Sequence, residues 1–120
     1  MNIALWIAQG LLAAVFLGSG VMKSTQTKEK MIETGQTGVA PFPLPAIRAV
    51  AALELLAAVG LIAPQLTGIA PVLTPLAAVG LMAVMIGAAV SHWSLREYKQ
   101  VFGVNLVLFL VCLFVALGRF

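Results

Sequence analysis

The side chains best suited to chemistry in this sequence are Lys23, Arg48, Glu54, His92 and Asn105. A carboxylate, an imidazole, two cations and an amide can pair charges, pass a proton or hold the polar group of a ligand. Glu54 carries the most information. It stands at the edge of a long apolar stretch, and no formally charged residue occurs from Leu55 to Leu95. A bare carboxylate in an apolar span costs several kcal/mol, so Glu54 must be protonated or paired with a cation. Arg48 is rotated about 120° from Glu54 on a common helix, which leaves Lys23, reaching in from another helix, as the preferred partner. Two readings follow: a structural ion pair that fixes helix packing, or a ligand- or proton-handling site.

The remaining polar residues have a bland reading beside a sharper one. His92 is either a proton relay or ligand contact, or an interfacial residue beside Trp93. Asn105 suits a hydrogen bond between helices. Cys112 is the sole cysteine, so dithiol chemistry and a multi-cysteine metal site within the chain are excluded. It fits a small apolar packing role. No nucleophile–base pair, phosphate loop or metal-ligand cluster is present in the sequence. The expectation is no catalytic residue and no metal, in a protein that is not an autonomous enzyme.

These residues sit in an unusual background. Of 120 residues, 62% are hydrophobic and 9% charged. Soluble domains run near 45–50% apolar and about 25% charged, and a small one cannot hide such an excess. The low polarity also excludes a disordered tail. The net charge of +3 rests on seven scattered Lys and Arg with no basic face, so nucleic acid is not an expected partner. An all-α integral membrane four-helix bundle in contact with the lipid bilayer is what remains.

The hydropathy pattern predicts a single domain over 1–120, with helices at about 3–22, 46–63, 71–92 and 101–118. The first reads as a span and not a cleavable signal, because a basic leading segment is missing. A polar loop covers 23–45 and ends in the Gly- and Pro-rich stretch TGQTGVAPFPLP. Pro64, Gly68, Pro71 and Pro75 are expected to break the following apolar run into a tight helical hairpin, with Thr74–Pro75 starting its second arm.

At about 100° per residue, each helix gathers its polar groups on one stripe. Gln9, Phe16, Gly20 and Lys23 share a face of the first helix. Glu54 lies with Ile47, Ala51, Ala58 and Leu61 on the second. Thr74, Ala78, Leu81, Met85 and His92 align on the third, and Asn105 and Cys112 on the fourth. Such stripes suit a bundle with a polar seam. Opposite the seam on the first helix runs a small-residue row, Gly10, Ala14 and Gly18, a surface for close helix approach.

Lys23, Arg48, Glu54, His92 and Asn105 all fall in the half of the bundle nearest the two polar loops. Those loops and Arg48 carry nearly all the Lys and Arg. The positive-inside rule then places loops 23–45 and 94–100 in the cytoplasm and both termini outside, in what is expected to be a bacterial plasma (inner) membrane. Trp6, Trp93 and Tyr98 suit interfacial anchors.

The segments GLLAAVFLGSGVMK, IRAVAALELLAAVGLIAP, TGIAPVLTPLAAVGLMAVMIGAAVSH and NLVLFLVCLFVALGRF together resemble the DoxX-like family of small four-helix membrane proteins. The likeness covers nearly the whole chain and rests on Lys23, Glu54, His92, Asn105 and Arg119. It implies a membrane subunit linked to redox chemistry and to quinones, with some relatives in redox-stress complexes and others in protein maturation or trafficking. The paired cysteines needed for direct thiol–disulfide exchange are absent.

The favoured function is a redox-linked accessory membrane subunit that binds a quinone-like or other small hydrophobic ligand, with a redox partner protein supplying electrons. No other cofactor is evident. The alternatives are a non-enzymatic assembly or interaction protein, including a homo-oligomer, and a small-molecule exporter acting as an oligomer.

Overall fold

The computed structural model describes residues 2–120. Helix α1 spans Asn2–Thr25, and a short helix α2 spans Lys28–Glu33. Helix α3 covers Leu44–Thr67 and α4 covers Leu73–Ser94. The last helix, α5, runs over Tyr98–Arg119 and contains one wide, π-type segment at Val101–Asn105. There is no β-strand among the described residues. The four long helices have 22 to 24 residues each. At 1.5 Å per residue each is at least about 33 Å long, enough to cross a hydrocarbon core of about 30 Å.

Short connections make successive long helices antiparallel neighbours. Helix α1 packs most extensively on α3, and α4 on α5; α3 with α4 and α1 with α5 complete the ring. The start of α1 and the end of α5 lie at the end that holds the α3–α4 hairpin. The opposite end carries α2 and the loops.

The core is a compact cluster including Leu12, Phe16, Leu61, Leu81, Cys112 and Val115. The outside is more apolar still. Ile3, Leu56, Leu66 and Leu117 are each more than 70% exposed. In water this would be an aggregation surface; in a bilayer it is the solvent-matched face. At the loop end Met31, Val39 and Ile47 form a second small cluster that seats the loop on α3.

The expected break at Pro64 does not occur, because α3 continues through it to Thr67. Proline has no N–H to donate to the carbonyl four residues back, here that of Gly60. Thr74 Oγ1 from α4 donates to this Gly60 oxygen at 2.8 Å. The neighbouring helix thus satisfies the freed acceptor, and the chain turns only at Gly68, with φ +74°.

Gly10, Ala14 and Gly18 are all exposed, with open space around Gly10 and Gly18. The close α1–α3 crossing uses Gly20 instead. A Cβ there would lie 2.7 Å from Leu55 Cγ and 3.2 Å from the Ala51 oxygen.

Candidate functional site

Lys23 reaches from the last turns of α1 to Glu54 on α3. Its Nζ donates to Glu54 Oε1 at 2.7 Å. Glu54 is 1% exposed and Lys23 15%. The second oxygen, Glu54 Oε2, is buried and has no hydrogen-bond partner. Arg48 does not join this pair. Its rotation on α3 turns it toward the end of α1, where its guanidinium donates to the Lys23 carbonyl at 2.5 Å and caps an otherwise orphaned acceptor.

His92 lies in the last turn of α4, and its Nδ1 lies 2.7 Å from Oε1 of Glu97 in the turn that follows. Thr37 Oγ1 donates to the same carboxylate oxygen at 2.9 Å. These hydrogen bonds, that from His92 foremost, hold the Glu97 carboxyl below its ordinary value of 4.5. Ser91 Oγ donates to the Gly38 carbonyl at 2.5 Å. Gly38 touches the imidazole so closely that a Cβ would lie 2.9 Å from His92 Nε2. The loop is therefore latched to α4 by side chains on both partners. Glu97 and Thr37 carried no sequence signal beyond their polarity. Only the five-residue step from His92, across a helix end, hinted at the first.

Asn105 is buried, and its Nδ2 donates a long hydrogen bond of 3.4 Å to the Met85 carbonyl on α4. The wide π-type turn that precedes α5's regular part ends on this residue. Such turns shift the register of one face of a helix.

These contacts divide by position. Near the loops the direct helix–helix ties run within pairs: Lys23–Glu54 and Arg48–Lys23 join α1 to α3, and Asn105–Met85 joins α4 to α5. At the hairpin end Gln9 Nε2 donates to the Leu61 carbonyl within the α1–α3 pair, at 2.5 Å, and further ties cross between pairs. Thr74 bonds Gly60, and Arg119 Nε donates to Gln9 Oε1 at 2.7 Å. Arg119 also lies 5.4 Å from the Trp6 ring centre. The two pairs are fastened at one end and part toward the other, where the loop bridges them.

The space between the pairs is a cavity of about 740 Å³. Small-molecule sites commonly measure 300 to about 1,000 Å³. Lys23, Glu54, His92 and Asn105 all contribute to its wall, and Arg48 does not. Phe16, Ile47, Met85 and Leu108 supply apolar lining, with Gln36 from the loop. Leu53 and Gly80, on the α3–α4 side, line it while being exposed on the outer surface. No group of His, Cys, Asp or Glu suited to a metal ion is found among the described residues.

The arrangement can do limited but definite things. It holds an apolar body in a mostly apolar chamber and offers one unsatisfied carboxylate oxygen beside an ammonium. A helical bundle with lipid-matched outer faces and a polar group deep in its interior defines a small four-span integral membrane protein, in contact with the bilayer. The chain belongs to the DoxX-like family, whose model matches residues 7–115. No curated protein and no solved structure matches it.

Proposed function

We propose that the protein is a redox-linked accessory membrane subunit that binds a small lipid-soluble ligand of quinone-like type in the cavity between its helix pairs. A redox partner protein carries out electron transfer. The loops face the cytoplasm and the termini face outward, in a bacterial plasma membrane, as the Lys and Arg distribution favours. The observation that carries the reading is Glu54: a buried carboxylate with one free oxygen on the wall of an otherwise mostly apolar chamber. A polar atom left unpaired in such surroundings is costly, and a ligand group that meets it removes that cost.

The test is binding of decylubiquinone and of its reduced, hydroxyl-bearing form decylubiquinol to the purified protein in nanodiscs. Saturable binding is expected, and Ala88→Phe, which places bulk in the cavity wall, should weaken it at least tenfold while the unfolding midpoint holds. Absence of saturable binding, or binding indifferent to Ala88→Phe, would discard the reading.

The assembly alternative has one observation in its favour, the exposed row of Gly10, Ala14 and Gly18, with open space around both glycines. Cysteine crosslinking at Gly10 and Gly18 in native membranes tests it. Crosslinks to a second copy or to another membrane protein support it, and their absence removes it.

A further inference from the structure

We infer that the ligand is an amphiphile with a hydrogen-bond-donating hydroxyl head, which meets Glu54 Oε2, and an apolar tail laid in the groove between α3 and α4. This rests on the cavity-binding reading above and specifies its ligand. The head-group chemistry follows from what is already satisfied. Lys23 occupies Glu54 Oε1 at 2.7 Å, and the ion-paired carboxylate can only accept at Oε2. A head group that offers acceptors alone leaves Oε2 unpaired. One that donates converts an unpaired buried acceptor into a charge-assisted hydrogen bond.

The tail follows from the shape outside the chamber. A second depression of about 490 Å³ runs along the α3–α4 face toward the hairpin end. It is lined by apolar and small residues, among them Leu56, Gly60, Leu76 and Ala77. Leu53, Gly80 and Val84 border both the groove and the cavity, so the two adjoin. At the far end of the groove the helices close, since a Cβ on Gly60 would lie 3.1 Å from that of Ala77. Gly80 stands at the junction with open space about it. A molecule with its head at Glu54 thus has a path for its tail on the lipid-facing surface, and it enters from the bilayer.

A quinol and a glycerol-based lipid both present this chemistry, and matched probes separate them. Binding to the full-length protein in nanodiscs would be measured for decylubiquinol against decylubiquinone, and for 1-decylglycerol against its dimethyl ether. In the pair that corresponds to the source, the hydroxyl compound should bind about tenfold tighter, the scale of one hydrogen bond to a charged group. Glu54→Gln should erase that preference. Because this variant also breaks the ion pair, Gly80→Phe provides an independent check. It blocks the junction and should weaken decylubiquinol or 1-decylglycerol at least fivefold, with the tailless head groups unaffected. Equal affinity within both pairs, or equal weakening of tailed and tailless probes by Gly80→Phe, would overturn the inference while leaving cavity binding in place. Binding by none of the probes would remove both.

Discussion

Lys23 and Glu54 form a pair in which only one carboxylate oxygen meets the cation: Oε1 accepts at 2.7 Å and Oε2 accepts nothing. Taking two charges out of water is costly, and leaving one of them alone is costlier. Lys23→Met should therefore destabilise the bundle by about 3 kcal/mol or more, because Glu54 is left as a lone buried acid. Lys23→Met combined with Glu54→Gln should recover much of that loss. Unfolding in mixed detergent micelles for the four members of this cycle checks it. Additive losses would show that the two side chains are not energetically coupled.

Pro64 and Thr74 form a second coupled pair, through the Gly60 carbonyl. Thr74→Val should cost about 1–2 kcal/mol, since it strips a buried acceptor of its donor. In a Pro64→Ala background the backbone N–H of residue 64 returns and can serve the same carbonyl. There the loss from Thr74→Val should shrink to well under 1 kcal/mol. Unfolding midpoints of both backgrounds decide it, and an undiminished loss would show that Thr74 acts through packing.

Two glycines on α1 should behave oppositely. Gly20 sits against Leu55 and the Ala51 carbonyl, whereas Gly18 faces open space. Gly20→Val should destabilise by about 1–3 kcal/mol through overpacking. Gly18→Ala should be neutral or slightly stabilising, given the better helix propensity of alanine. Equal effects of the two substitutions on thermal unfolding would count against the close α1–α3 crossing.

The latch between the loop and α4 should weaken in acid. Glu97 is held below its ordinary value of 4.5 by hydrogen bonds from His92 and Thr37. A carboxyl depressed in the folded state contributes stability that is fully present above the unfolded value. That contribution is lost as pH falls through the folded value. Between pH 6 and 3.5, amide protection over residues 34–43, taken against the intrinsic exchange rate at each pH, should fall. In Glu97→Gln, protection should already be lower at pH 6 and change less with acid. An identical pH response in wild type and variant would assign the effect to other groups.

The sequence by itself determined the medium and the architecture. A composition 62% hydrophobic and 9% charged leaves no soluble solution for this chain length, and the spacing of charges marks four spans. Helical periodicity alone placed Gln9, Glu54, Thr74 and Asn105 on inward faces, and all are buried. It also separated Arg48 from Glu54, because a 120° rotation is a local property of one helix.

Tertiary structure decided everything that depends on two helices at once. Whether Pro64 ends α3 turned on a hydroxyl supplied by α4, which no local rule contains. That Gly20 and not the Gly10–Gly18 row makes the close crossing was settled by which face α3 occupies. The recruitment of Glu97 and Thr37 to His92 needed a loop whose path was unreadable from composition. The cavity itself is such a property: it exists because α1 with α3 and α4 with α5 pack as pairs joined at one end. One-dimensional periodicity fixes the direction in which a side chain points, but not the distance to what it faces.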